Sequence, residues 1–146
     1  MRPLVTVVCL CYNHARFVQE ALESVWAQTY TDIELIVVDD ASTDGSKRVI
    51  ENLLRNKPGT TFISLEKNEG NCRAFNRAWR LAKGQFIIDF AADDVMLPER
   101  VEKGVNAFAD KSELYGVQFG DAEWVDEQGQ SLGFHSDRYP FQTIPQ

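Results

Sequence analysis

No stretch of the 146-residue chain approaches the roughly 20 consecutive apolar residues that cross a bilayer, so a transmembrane segment is excluded. There is no basic run either. The chain carries 15 Lys and Arg against 22 Asp and Glu, a net charge of −7. An acidic domain of this kind is a poor match for a phosphate backbone, and nucleic acid is not an expected partner. Cysteine is scarce: Cys9, Cys11 and Cys72 are odd in number, and none falls in C-x-x-C spacing. Only His14 and His135 could complete a thiolate metal site, so buried, reduced thiols are the simpler reading. Two glycine signatures are missing as well. No G-x-G-x-x-G follows the first apolar run, which disfavours a Rossmann dinucleotide site, and no G-x-x-x-x-G-K-[ST] occurs anywhere. A phosphate ligand would need another device to hold it.

What remains is an ordinary globular composition, 44% hydrophobic and 25% charged, enough for about one domain that needs no disulfide staple. Met1-Arg2-Pro3 and the short apolar run behind it mimic a signal peptide. Polar Asn13, His14 and Arg16 follow without a small-residue cleavage site, so a buried strand is expected there. Strand-like apolar runs recur at residues 5–10, 33–38, 61–65, 86–90 and 117–119. Helical spacing fills the intervals. Phe17, Val18, Ala21, Leu22, Val25 and Trp26 share one face, and Val49, Ile50, Leu53 and Leu54 repeat the pattern. Ala74, Phe75, Ala78, Trp79 and Ala82 make a third helix that Gly84 is expected to close. Pro98 is expected to open a fourth, burying Val101, Val105 and Phe108.

Val/Ile-rich strands separated by single helices pair in parallel through right-handed crossovers. The expected fold is therefore α/β, a doubly wound, mostly parallel sheet flanked by helices. Residues 123–126 and 131–134, around Gln128-Gly129, read as a C-terminal hairpin, and the last dozen residues as a tail.

Ligands of open α/β sheets bind beyond the carboxyl ends of the strands. Those ends would collect Tyr12, Asn13 and His14, then Asp39 and Asp40, then Asn68 and Gly70, then Asp93 and Asp94, then Asp121 and Glu123. So many carboxylates on one rim repel each other unless cations neutralise them, which points to a divalent ion on hard oxygen ligands. Taken singly, each acidic pair is equally well read as a helix cap or turn. Their convergence favours a ligand site. Arg73 reads equally well as a solvated helix charge, and His14 more simply as a solvated loop histidine.

At these residues the chain resembles the family 2 glycosyltransferases of the GT-A fold. The likeness runs through "VTVVCLCYNHARFVQEALESVWAQTYTDIELIVVDDASTDGS" and "NEGNCRAFNRAWRLAKGQFIIDFAADDVMLPERV", over about residues 4–126. It implies a nucleotide pocket at Tyr12 and Asn13, and contacts to base or ribose, of UDP by expectation, at Asp39 and Asp40. Asn68, Gly70, Arg73 and Asn76 would lie near the diphosphate, and Mg²⁺ or Mn²⁺ on Asp94, assisted by Asp93. Ala91 stands where many relatives carry the first Asp of a D-x-D-D motif. The implied reaction is inverting transfer of a sugar from a nucleotide-sugar to an acceptor hydroxyl on a saccharide, lipid or protein.

The family's base lies in an acceptor-binding half, and no residue here fills that role. Residues 1–133 are accordingly expected to form the donor-binding domain, and 134–146 a truncated connection. A catalytically incomplete binding module of the same fold is the alternative reading. A phospho-receiver is a remote one, because the acidic pair follows the second strand rather than the first. Free thiols and the lack of a leader suggest the cytoplasm, with membrane association or cell-envelope acceptors left to a longer form, and a second domain or homo-oligomer as further partners.

Overall fold

The computed structural model describes residues 2–109, 111 and 115–140. Its elements, in chain order, are β1 (Val5–Cys11), α1 (Val18–Trp26), β2 (Ile33–Asp39), α2 (Ser46–Leu54), β3 (Thr61–Ser64), α3 (Asn71–Trp79), β4 (Phe86–Ala91), α4 (Arg100–Ala109), β5 (Glu123–Val125), β6 (Ser131–Phe134) and α5 (His135–Arg138). They fall into two compact units, residues 1–110 and 111–146.

The first unit holds a four-stranded sheet of order β3-β2-β1-β4, with every pairing parallel. All seven residues of β1 are buried, because the strand is paired on both edges and covered on both faces. Val5, Val7, Cys9 and Cys11 face one way, packed with Val18, Ala21, Leu22 and Val25 of α1, Ile50 of α2 and Val101 of α4. Val8 and Leu10 face the other way, with Ile36, Val38 and Ala74 and Ala78 of α3. The sheet is thus doubly wound, as expected. Cys9 and Cys11 share one buried face, and burial pushes both thiols up, whereas Cys72 on α3 is exposed.

Three local expectations need correction. The helix holding Ala74 ends at Trp79, and Gly84 does not cap it. Gly84 instead lets the chain enter β4 hard against β1: a Cβ there would lie 2.5 Å from the Thr6 nitrogen and 2.7 Å from the Phe86 carbonyl oxygen. Around it, the Gly84 N–H donates to Thr6 Oγ1 (2.9 Å), and that hydroxyl donates to Glu34 (2.6 Å). Secondly, Pro98 lies in the turn ahead of α4 rather than at its first position.

Thirdly, residues 117–119 form no strand. Val117 and Phe119 are 70% and 83% exposed, and no neighbour pairs with them among the described residues, so the apolar character of the run finds nothing to cover it.

In the second unit, β5 and β6 pair antiparallel around Gly129 (φ +78°), as the hairpin reading required. Residues 134–146 were expected to be an aperiodic tail. The stretch begins instead with the end of β6 and the single turn α5, where the Asp137 carboxylate accepts the Phe134 N–H at 3.1 Å. Residues 141–146 lie outside the described residues. None of the described helices is long and apolar enough to cross a membrane.

The Gly84 contact yields a stability prediction. Gly84→Ala should lower unfolding free energy by about 1–3 kcal/mol, since backbone atoms have to move to admit the methyl group. Gly59→Ala, where a Cβ would meet nothing within 4 Å, should stay within about 0.5 kcal/mol of the parent. Urea denaturation of the two variants measures both, and equal midpoints would refute the steric account.

Candidate nucleotide and metal site

Parallel pairing puts the carboxyl ends of β1, β2 and β4 on one edge of the sheet, where their loops meet. The Asp39-Asp40 pair ends β2, and alternation along the strand sends the two side chains to opposite faces. Asp40, 5% exposed, turns to the α3 side. Its carboxylate accepts the backbone N–H of Glu69 (2.7 Å) and of Gly70 (2.8 Å), which fixes the entry to α3 against the end of β2. Asp39, 1% exposed, continues the face of Leu35 and Val37. One of its oxygens accepts the Ser42 N–H at 3.2 Å, and the other has no partner among the described residues. Between this pair and the loop stands Ala41 in the left-handed region (φ +61°), a costly conformation for a residue with a Cβ.

The loop after β1 is stitched to the loop after β2. Asn13 is also left-handed (φ +60°); its side-chain oxygen accepts the Thr43 N–H at 2.8 Å, and its own N–H donates to Ser42 Oγ at 2.9 Å. The His14 N–H donates to Ser46 Oγ, and the Ala15 N–H to Asp44. Burial pushes the Asp44 carboxyl up, but hydrogen bonds from the Ser46 hydroxyl and from the Ala15 and Ser46 N–H groups outweigh it, leaving the group below its ordinary range. Asp44 thereby does at the start of α2 what a capping side chain does.

After β4 the chain turns at Asp93-Asp94. Burial pushes the Asp94 carboxyl above the usual carboxylate range; the Asp93 charge adds to this and His14 opposes it. His14 Nδ1 lies 3.6 Å from Asp93 Oδ1, a contact that is ionic only when the imidazole is protonated.

The segment that follows is tied to α1 by two buried polar side chains. Ser24 Oγ accepts the Met96 N–H at 3.0 Å. Gln28 donates to the Leu97 carbonyl (2.8 Å) and accepts the Val101 N–H (3.0 Å). These residues hold the acidic turn in place, and they hide in the sequence as polar positions within and just after an amphipathic helix.

A cleft of about 430 Å³ opens on the α3 side of this rim. Tyr12, Asp40, Asn68, Gly70 and Asp94 line it together with His14, Asn71, Asp89 and Ala91. Four separate loops thus deliver five of the expected residues to one wall. The other expected residues stand elsewhere. Asn13 braces the neighbouring loop, Asp39 lies on the opposite face, Arg73 and Asn76 point outward from α3, and Asp93 faces His14 rather than the cleft. Asp121 lies in the second unit, where its carboxylate accepts from Ser136 (2.6 Å to the hydroxyl). Glu123 is in β5 of that unit. Asn71 and Asp89 are the cleft residues that the sequence reading missed. The N-terminal end of α3, Gly70-Asn71, is presented to the cleft, an orientation that favours anions.

A shallower hollow of about 490 Å³ between α1 and α2, with Lys57 Nζ 4.5 Å from the centre of the Trp26 ring, is lined by Glu23, Asn52 and Asn56 and lies away from the carboxyl ends of the strands. No three His, Cys, Asp or Glu side chains converge on one point among the described residues. Asp93 and Asp94 carry carboxylate oxygens of the hard type that Mg²⁺ or Mn²⁺ would take, with water and phosphate completing such a shell.

Comparison with known proteins agrees with this fold. An uncharacterised glycosyltransferase of Nostoc is 37% identical over 113 residues, covering 77% of this chain and 35% of its own length. The chondroitin synthase of Escherichia coli is 37% identical over 106 residues, 73% of this chain and 15% of that protein. The chain therefore spans about a third or less of these two relatives.

Among solved structures, the mannosyltransferase PcManGT from Pyrobaculum calidifontis, in complex with GDP-Man and Mn²⁺, superposes with a TM-score of 0.64 at 32% identity, over 75% of this chain and 33% of that one. TarS 1–349 of S. aureus, in complex with UDP, gives 0.65 at 29% identity, over 72% and 32%. The mostly parallel sheet flanked by helices described above is that of GT-A glycosyltransferases. The profile of glycosyl transferase family 2 matches residues 6–143, nearly the whole chain, and the chain belongs to that family.

Proposed function

We propose that this chain forms the donor side of a sugar transfer: it binds a nucleotide-sugar, UDP-linked in the first instance, with its diphosphate held through a divalent ion. The observation that carries the reading is the cleft itself, where Tyr12, Asp40, Asn68, Gly70 and Asp94 arrive from four strand ends. Solved relatives hold GDP-Man with Mn²⁺, or UDP, and these complexes support both the ligand class and the ion.

Asp94, with Asp93 beside it, would hold Mg²⁺ or Mn²⁺, which when bound supplies positive charge to the diphosphate as it leaves. The N-terminal end of α3 at Gly70-Asn71 would add its partial positive charge to the same group. Tyr12 offers a ring face to the base, and Asn68 and Asn71 offer amides to its edges. Asp40, both of whose oxygens already receive N–H groups, acts chiefly by holding that wall in position. Asn13, Asp39 and Arg73 support the pocket from outside its lining.

Transfer with inversion needs an acceptor hydroxyl to lose its proton and attack the anomeric carbon, breaking the bond to the diphosphate oxygen. None of the described residues is assigned as that base, and the donor-binding role is placed in residues 1–110 rather than in the hairpin. The chondroitin synthase of E. coli and a putative teichuronic acid biosynthesis glycosyltransferase of Bacillus subtilis among the relatives support a polysaccharide acceptor of the cell-envelope type.

Calorimetric titration tests the proposal. UDP or GDP should bind in Mn²⁺, lose more than about tenfold in affinity in EDTA, and lose as much in Asp94→Ala. Binding indifferent to both would remove the metal bridge. The raised pKa of Asp94 adds a pH signature. Metal binding needs the carboxylate, so affinity is full well above the folded pKa and falls as pH drops through it. The fall should begin at higher pH than an ordinary Asp, with its pKa of 3.8, would dictate. A flat Mn²⁺ affinity down to about pH 4 would contradict the assignment of Asp94.

A further inference from the structure

The basic residues of this acidic chain are not spread evenly. Five of the 15 Lys and Arg, but one of the 22 Asp and Glu, fall between residues 67 and 83, so this stretch carries +4 in a chain of −7. They make no run in the sequence because they are spaced along a helix. Arg73, Arg77 and Arg80 recur at i, i+4 and i+7, which lines them up on the face of α3 turned away from the sheet and from buried Ala74 and Ala78. Arg80 stands one residue past the helix with helical backbone angles, and the Ala82 N–H donates to the Ala78 carbonyl, so the turn continues as far as Ala82.

The stretch is poorly neutralised. Glu69, its one carboxylate, is taken up by Arg77 through two hydrogen bonds of 2.7 and 2.9 Å. Lys83 is exposed, with its Nζ 3.8 Å from Glu34. The side chains of Lys67, Arg73 and Arg80 are exposed and hydrogen-bond to no residue among those described. Two large apolar side chains stand in the same place. Trp79 falls within the apolar spacing of α3 yet is 57% exposed, and Leu81 is 51% exposed. They bracket Arg80 in the sequence, with Lys83 two residues further on.

A single exposed apolar residue needs no explanation. An indole and a leucine set among unpaired cations are the make-up of a helix that lies on an anionic membrane surface. The cations meet phosphate headgroups, the indole lodges at headgroup level, and the leucine reaches the boundary with the acyl chains. A hydrated acidic polymer would use the cations and the indole but gain nothing from the leucine.

We propose that the outward face of α3 and the turn after it, from Arg73 to Lys83, is a docking surface for a bilayer containing anionic phospholipid. The contact is peripheral and reversible, made by charge and two shallow apolar side chains. It stands independently of the donor-site reading. The other end of the same helix, Gly70-Asn71, belongs to the cleft wall, so a docked bilayer runs within about 15 Å of the cleft.

The test is sedimentation of the full chain with vesicles of phosphatidylcholine, alone or with a third of it replaced by phosphatidylglycerol. Affinity should be about tenfold or more higher for the anionic vesicles and should fall as salt is raised. Arg80→Glu combined with Lys83→Glu should lose about tenfold or more. Lys47→Glu combined with Arg48→Glu, exposed on α2, changes the net charge equally and should bind like the parent. Trp79→Ser should bind more weakly and lose the blue shift of tryptophan emission that accompanies docking. Melting temperatures near the parent's establish that the variants are folded. Equal affinity for the two vesicle types, no binding to either, equal losses in the two double variants, or an emission shift that survives Trp79→Ser overturns the proposal. Binding of soluble chondroitin sulfate without binding of vesicles also overturns it, and assigns the face to an acidic polymer. Nucleotide titration of the same samples reads the donor site separately, so failure of one reading leaves the other standing.

Discussion

The site depends on one constraint, the parallel hydrogen bonding of β1 to strands on both its edges. That pairing aligns the carboxyl ends of β2, β1 and β4 and so forces their acidic residues onto one rim. The crowding is relieved locally. Asp40 is neutralised by two backbone N–H groups at the start of α3, Asp44 by N–H and hydroxyl groups at the start of α2, and Asp93 has the His14 imidazole nearby. Asp94 is left partly desolvated beside another negative charge. On this rim Asp40 and Asp44 are satisfied by neighbouring groups, whereas Asp39 keeps one buried oxygen without a partner among the described residues and Asp94 stands beside a like charge; the contrast separates bracing carboxylates from those left for other chemistry.

A second layer of polar bonds fixes where Asp94 stands. Ser24 on α1 and Gln28 just beyond its end are buried, yet they bond to the backbone of residues 96, 97 and 101 rather than to other side chains. Buried polar groups of this kind need all their partners, so the segment beyond Asp94 has little freedom to shift without leaving an amide or hydroxyl unpaired. Asp94 itself is anchored by its N–H to the Ala91 carbonyl at 3.2 Å. The turn is thus held from β4 on one side and from α1 on the other.

The four sheet strands were legible in the sequence because parallel strands covered on both faces read as continuous apolar runs, and β1 is buried at every position. The same rule failed at residues 117–119. Val-Gln-Phe carries the apolar signal of a short strand, but the sequence does not say which strand would pair with it. The rim residues were legible as a group, since strand ends are easy to place. Their individual aims were not: whether Asp39 or Asp40 turns toward the cleft depends on strand parity, which a one-residue change in the strand's end reverses. Gly84 was read as a helix stop because glycine after a helix usually is one, whereas its role depends on Thr6, nearly eighty positions away. Asp89 was hidden for a related reason. Inside "FIIDF" it looks like the polar member of a strand, and only the register against Val8 and Leu10 reveals that it stands on the cleft wall.

The three thiols divide in the same way, two sealed in the sheet and one exposed near the first turn of α3. Cys72 follows Asn71, a residue of the cleft wall, whereas Cys9 and Cys11 are shielded from solvent and held as neutral thiols. The native chain therefore presents a single alkylation position without any engineering. A fluorophore attached there would sit beside the helix end that meets the ligand, and the number of sulfurs open to a thiol reagent would rise from one to three when the sheet opens.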